Sequence, residues 1–251
     1  MNNYFCVLPF FSYEISHNNS KNIYCCRLPV GTNIDQVRQS MITQQRAQAC
    51  NTCWKLEDQG QQSERQIHNQ AFDYYTDSDI EQIEQDVCNG KFHTKIVKLH
   101  TSNLCNGACV TCGRYSSSAW ANLENQPINY AKILDSTLED INWADIAQLS
   151  FVGGEPLLEK KNFQILQNLI DQHNTNCFIS IVTNGSVELS ADQLNILSQF
   201  SNLNICLSID GVSRSFEYLR WPLQWNTLKK NLDIFKQQAR YVSVSLSLIH
   251  I

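Results

Sequence analysis

An α/β fold, a partial (β/α) barrel preceded by a small hairpin-plus-helix metal-binding module, is what this sequence predicts. Three observations carry the prediction. Strands and helices alternate from Lys91 onward, the first 90 residues lack that rhythm, and several of the 11 cysteines fall in tight spacings. Alternation of this kind is the pattern of βαβ units around a parallel sheet or barrel.

In the amino-terminal part, short extended pieces around Tyr4 to Ile15 and Asn22 to Leu28 read as a hairpin. A helix over Ile34 to Gln48 follows, and a second over Asp79 to Cys88 stops at Asn89-Gly90. This places a boundary between a module of residues 1–90 and a core of residues 91–251. The first core strand, Thr94 to Thr101, carries Ile96, Val97 and Leu99 and runs straight into a cysteine loop. Tyr130 to Asp140 reads as a helix, and the second strand, Gln148 to Val152, ends at Gly153. Phe163, Leu166, Leu169 and Ile170 then recur on one helical face.

A third strand, Cys177 to Val182, leads into Thr183-Asn184-Gly185, after which Ser190 and Gln193 form a capping box for a helix through Phe200. Strand four is Leu203 to Ile209, Trp225 to Gln238 is helical, and a fifth strand starts near Tyr241. The last six residues, LSLIHI from Leu246 to Ile251, match the translation of a transposon-type sequencing adapter. The alternative is that they finish strand five, which their β-branched and apolar content permits. On either reading the barrel is expected to be truncated at its carboxyl end.

With 43% hydrophobic residues among 251, the chain can bury a sizeable core. The net charge of −5 comes from 19 basic and 24 acidic residues without long runs of either sign, so no nucleic-acid partner is suggested. No stretch approaches the roughly 20 apolar residues of a membrane-spanning helix, and no membrane partner is expected. The opening MNNYFCVLPFF has neither a basic region nor a cleavage site, so the protein is expected in the cytoplasm. There, tight C-x-x-C spacings point to metal ligation rather than disulfides.

Cys105-Asn-Gly-Ala-Cys109-Val-Thr-Cys112 brings three thiols onto a loop at the carboxyl end of a strand, where α/β folds place their sites. Iron-sulfur clusters take four cysteine ligands, so three leave one iron open. Zinc is the competing metal, with His100 the nearest candidate for a fourth ligand.

The loop resembles the signature of radical S-adenosylmethionine (radical SAM) enzymes, and Phe151-Val-Gly153-Gly154-Glu155-Pro156 resembles that family's GGEP segment. Thr183-Asn184-Gly185, Leu207-Ser208-Ile-Asp210-Gly211 and Arg220, twelve residues beyond Ser208, are similar to further family segments. The resemblance implies a partial barrel of radical SAM type and a 4Fe-4S cluster on Cys105, Cys109 and Cys112. It also implies that Gly153, Gly154, Glu155 and Pro156 meet the amino group of S-adenosyl-L-methionine and that Ser208 and Arg220 hold its carboxylate. A guanidinium fork suits that task. Asn184 and Asp210 would border its sugar. The residue before the last cysteine is usually aromatic in the family and packs near the adenine; here it is Thr111.

The implied activity is reductive cleavage of S-adenosylmethionine to a 5′-deoxyadenosyl radical that abstracts hydrogen from a peptide, a protein or a small molecule. A one-electron donor such as flavodoxin or ferredoxin is the implied partner. The alternative is a non-catalytic iron-sulfur or zinc protein for binding or electron transfer.

Cys6, Cys25, Cys26, Cys50 and Cys53 form a second group, enough for an auxiliary iron-sulfur cluster. Neighbouring cysteines on a strand point to opposite faces, so one of Cys25 and Cys26 ligates, and we take Cys25. The group resembles the twitch module related to the SPASM domain, here ahead of the barrel, in a branch of the superfamily where CWxxE, as in Cys53-Trp54-Lys55-Leu56-Glu57, follows the hairpin. Zinc or unligated structural cysteines are the alternatives. Cys88, Cys177 and Cys206 read as packed or surface thiols, Trp120 as core, and Ser116 to Ser118 either as a helix cap or as a substrate contact.

Overall fold

The computed structural model describes residues 3–25, 28–29, 31–72, 76–126 and 132–246. The chain divides into two compact units, Met1–Glu14 with Asn22–Ile96 and Ile15–Lys21 with Val97–Ile251.

In the first unit the extended piece expected from Tyr4 is broken by one helical turn, α1 (Leu8–Phe11). Pro9 fits the first turn of a helix because its missing N–H would have no partner there. The turn buries Phe10 and Phe11, which stack on Phe5 at 4.8 Å and on Phe72 at 5.6 Å. Strands β1 (Ser12–Ile15) and β2 (Lys21–Asn22) follow in the chain, Ile15 and Lys21 being counted with the second unit. Helix α2 (Ile34–Ile42) starts where the Asn33 side chain accepts from the N–H groups of Asp35 and Gln36. It stops short of the expected Gln48 because Gln44 turns left-handed at φ 56°. The chain then restarts as α3 (Asn51–Asp58). Reciprocal capping boxes, Ser63 with Gln66 and Thr76 with Asp79, open α4 (Glu64–Gln70) and α5 (Asp77–Cys88).

The second unit holds β3 (Ile96–His100), β4 (Gln148–Val152), β5 (Phe178–Thr183), β6 (Leu203–Ser208) and β7 (Tyr241–Ser245), adjacent in that order. Pairs β4–β5, β5–β6 and β6–β7 are parallel, with Leu149 opposite Ile179, Ile181 opposite Ile205 and Leu207 opposite Val244. Strands placed side by side in chain order are wound as in a barrel, without the reversal of a doubly wound sheet. Among the described residues β3 and β7 do not meet, so the sheet stays open.

The crossovers are α6 (Ser118–Leu123), α7 (Lys160–Asp171), α8 (Ala191–Ser198), α9 (Arg214–Leu219) and α10 (Trp225–Gln238). Leu149, Phe151, Ile179, Leu203 and Ile205 alternate into the core, and α7 buries Phe163, Leu166 and Leu169. Ser190 and Gln193 form the expected capping box of α8.

One element is corrected. The helix read over Tyr130 to Asp140 is absent from the described residues 132–140, which hold only a short 3-10 turn, Asp135–Thr137. Lys132 instead bridges Ser102 in antiparallel fashion, and the Ile133 N–H donates to Thr101 O at 3.0 Å. That extended pairing competes with helical turns for the same backbone groups. Residues 127–131 and 247–251, the latter including most of LSLIHI, lie outside the described residues. No helix among the described residues is long and apolar enough to cross a membrane.

Candidate active site

The cysteine loop leaves β3 and is held from Cys105 to Val110 by its own unit. Ser118 Oγ accepts from the Cys105 N–H and donates to the Cys105 carbonyl, both at 3.0 Å. Ser117 caps α6 and sends its hydroxyl to Gly107 O at 2.6 Å. Trp120 Nε1 donates to Cys109 O at 2.8 Å, so this half-buried indole serves the loop as well as the core. On the other side, the N–H groups of Ala108 and Val110 donate to the carbonyls of Trp221 and Leu219, at 2.6 and 2.8 Å. Ser117 thus caps the helix, one of the two roles expected of Ser116 to Ser118, and together with Ser118 it fastens the loop, a tie that no motif marks.

The three thiols differ in setting: Cys109 is buried, Cys105 half-buried and Cys112 exposed. Burial pushes the Cys105 thiol up to about 12, and it raises Cys109 too, against the opposing pull of Arg220. Loading a metal centre here therefore means expelling protons, as metal binding to thiols generally does.

The GGEP segment packs directly on the start of this loop. The N–H groups of Gly154 and Glu155 donate to Ser102 O and Leu104 O at 3.1 and 2.7 Å. A Cβ on Gly154 would overlap the Leu104 carbonyl, and Gly153 holds φ 116° with Ser102 O 2.8 Å from where its Cβ would stand. The glycines are therefore needed first for this approach of chain to chain. Glu155 turns inward and is 1% exposed. Its carboxylate accepts from Thr183 Oγ1 and the Asn184 N–H, each at 2.7 Å, and from the Leu157 N–H at 3.1 Å. Burial raises its pKa, and these bonds oppose the rise. Pro156 is buried beside it, its carbonyl accepting from Asn162 Nδ2.

At the end of β5, Asn184 Nδ2 donates to Asn106 Oδ1 at 2.8 Å, and Asn106 Nδ2 donates to Ser186 Oγ at 2.8 Å. Asn106, between the first two cysteines, carries no motif signal, yet it ties the loop to the third strand end. Beyond β6, Arg220 is buried, donating Nη2 to Asp210 Oδ2 at 2.6 Å with Nη1 3.9 Å from Cys109 Sγ. Ser208 is half-buried at the end of β6, where the next N–H, of Ile209, donates to Ser245 O at 3.0 Å. The structure therefore gathers the loop, GGEP, Asn184 and the Asp210–Arg220 pair at the carboxyl ends of successive strands. Thr111 is exposed, as are Val110, Tyr115, Tyr218 and Trp221.

In the first unit Cys6, Cys25, Cys50 and Cys53 line one small enclosed cavity with Leu8, Pro9, Leu28, Glu64 and Arg65. Burial raises the Cys6 thiol and pushes Cys50 up to about 12, with neighbouring thiols adding to both. Cys26 lies outside the described residues. Among the described residues, no three His, Cys, Asp or Glu side chains stand as ligands of one metal ion. Thiolates on a single zinc lie about 2.3 Å from the same atom, whereas a cluster sets a separate iron under each. The donor chemistry of both cysteine groups, several soft thiols brought together, fits an iron-sulfur group.

An open, barrel-type α/β sheet with three thiols on the loop after its first strand is the architecture of a cofactor-dependent enzyme. The chain belongs to the radical SAM superfamily, whose family pattern matches residues 99–250. That family implies a 4Fe-4S cluster and S-adenosylmethionine. No curated protein matches the sequence. Among solved structures, histidine-tagged anSMEcpe with bound AdoMet is 22% identical with a TM-score of 0.45, over 60% of this chain and 42% of that one. Streptococcus suis SuiB bound to S-adenosylmethionine is 13% identical, with a TM-score of 0.43 over 79% of this chain and 45% of that one. SuiB bound to the precursor peptide SuiA is 12% identical, with a TM-score of 0.45 over 94% and 55%. The chain thus spans about half the length of these proteins or less.

Proposed function

We propose that this chain holds a 4Fe-4S cluster on Cys105, Cys109 and Cys112 and cleaves S-adenosylmethionine with it, for hydrogen abstraction from a substrate. The observation that carries the reading is the cysteine loop itself, fastened by Ser117, Ser118, Trp120 and the 219–221 backbone while its three thiols remain free. When bound, a reduced cluster of this kind gives one electron to S-adenosylmethionine, releasing methionine and a 5′-deoxyadenosyl radical.

The work of the chain is to bind, orient and exclude water. Gly153 and Gly154 bring backbone against the loop without side chains in the way, and Glu155 and Pro156 anchor that segment from beneath. Arg220, held by Asp210, and Ser208 serve the methionine carboxylate, and Asn184 with Asp210 borders the sugar. A small reductant such as flavodoxin or ferredoxin supplies the electron, and a reducing cytoplasm suits the free thiols. The substrate is a peptide, a protein side chain or a small molecule, with a peptide or protein put first because of the twitch-like module.

Residues 1–90 form that module, and residues 91–251 form the radical SAM core. The module's Cys6, Cys25, Cys50 and Cys53 hold an auxiliary iron-sulfur cluster, supported by the one cavity they line. The reading as a non-catalytic iron-sulfur or zinc protein is not favoured by the family.

Anaerobic reconstitution of the full chain with iron and sulfide, followed by dithionite and S-adenosylmethionine, tests the proposal. We expect 5′-deoxyadenosine and methionine in equal amounts, and none after Cys109→Ala. A cluster-loaded chain that forms neither product overturns the proposal.

A further inference from the structure

We infer that Arg65, gripped by Glu57, is a positioning residue that sets the charge beside the four-thiol cavity of the first unit. The inference rests on the proposal that an iron-sulfur cluster is held there. Arg65 lines the same cavity as Cys6, Cys25, Cys50 and Cys53 and is the one cationic side chain to do so among the described residues. Its side chain is 9% exposed, and a guanidinium stays charged under such burial.

The guanidinium is held on its edges by hydrogen bonds and on one face by a ring, and two of the three partners adjoin a cysteine. Nη1 donates to Phe5 O, just before Cys6, at 2.7 Å. Nε and Nη2 fork onto the two oxygens of Glu57, at 3.0 and 2.6 Å. The plane sits 4.5 Å from the ring centre of Trp54, next to Cys53. Glu57 is pinned in turn by the Ser63 hydroxyl, and Asn69 repeats the grip on the Cys6 segment through Phe5 O and the Val7 N–H. One fixed cation therefore joins the segment bearing Cys6, just ahead of α1, to the helix bearing Cys53. Its pull on the Cys6 and Cys50 thiols runs toward the ionised form.

A thiolate-ligated cluster carries negative charge and gains more when reduced, so a buried cation beside it favours the reduced state. Surrounding charge and hydrogen bonds are how proteins tune such centres. Glu57, and Glu64 on the cavity wall itself, offset part of this effect, and Glu57 fixes where the cation stands.

The test uses the full chain carrying Cys105→Ala, Cys109→Ala and Cys112→Ala, so that only the amino-terminal site can load. Reconstitution with iron and sulfide comes first. If this parent takes up no iron-sulfur group, the auxiliary-cluster proposal itself fails. In a loaded parent, the midpoint potential is read by redox titration of the reduced cluster's electron paramagnetic resonance signal. Arg65→Met should shift the midpoint to a more negative value, or lose the cluster while the circular dichroism of the fold persists. Arg65→Lys should restore the parent's value in large part. The near-isosteric Glu57→Gln keeps the cation and removes the charge opposing it, so its midpoint should move positive; it decides the matter alone if Arg65→Met does not fold. Iron retention with an unmoved midpoint in Arg65→Met, or a midpoint in Glu57→Gln that stays or falls, overturns the inference.

Discussion

Arg220 reaches Asp210 at 2.6 Å through one arm of its guanidinium while the other arm lies 3.9 Å from Cys109 Sγ. The family motifs assign the two residues to different ends of S-adenosylmethionine; the structure makes them a buried ion pair, with side chains 8% and 1% exposed. Asp210 thus orients the fork that Arg220 would offer to a carboxylate. Asp210→Asn keeps the shape and removes the charge, leaving a buried guanidinium underpaired. We expect the affinity for S-adenosylmethionine, measured by calorimetry on the reconstituted chain, to fall about tenfold or more. Iron content should be unchanged, and equal affinity in the variant would refute the orienting role.

Gly154→Ala tests the packing of GGEP on the cysteine loop. The new methyl group would overlap the Leu104 carbonyl, and the carbonyls of Ser102 and Leu104 cannot retreat without breaking the bonds from Gly154 and Glu155. Forced overpacking costs about 1–3 kcal/mol. We expect a lower melting temperature and poorer iron retention, because Leu104 leads directly into Cys105. Gly113→Ala is the matched control beside Cys112: its Cβ would meet nothing within 4 Å, so both quantities should hold.

Glu155→Gln probes a carboxylate that joins two strand ends. Oε1 accepts from Leu157 N–H and Oε2 from Asn184 N–H. A Gln side chain offers one oxygen and one amino group, so in either orientation one of those N–H groups faces a donor. An unmet buried donor costs about 1–3 kcal/mol. Removing the buried charge offsets part of that, since burial disfavours the ionised form. We expect net destabilisation, read as a melting temperature lower by about 2–4 °C per kcal/mol. A melt equal to or above that of wild type would mean that relief of the buried charge matches or outweighs the lost bond, and would refute this expectation.

What the sequence made legible follows the reach of each signal. Strand β4 ends at Gly153 as read, and α8 opens on Ser190 and Gln193 as read, because both signals lie within a few residues of what they mark. The helix over Tyr130 to Asp140 failed because the partner of Lys132 is Ser102, outside any local window. The three cysteines announced the loop, but not what holds it: Asn106 finds Asn184 across 78 positions, and Arg65 finds the Phe5 carbonyl across 60. Such long-range polar pairs leave no periodicity behind.

Acid should loosen the first unit through Glu57. Burial alone would raise its carboxyl, but hydrogen bonds from Arg65 and Ser63 carry it below the usual range. A depressed carboxyl contributes stability that is present above its unfolded pKa, about 4.3, and is lost as pH falls through the lower folded value. The loss falls on the ties among Cys6, Cys53 and α4, since Arg65 would keep its charge and lose its partner. The melting temperature of wild type should therefore drop more steeply than that of Glu57→Gln between about pH 5 and pH 3. Glu57→Gln should begin lower at pH 7, because replacing the carboxylate leaves the buried guanidinium underpaired. Parallel curves for the two proteins would show that the Glu57–Arg65 bond carries no acid-sensitive share of stability.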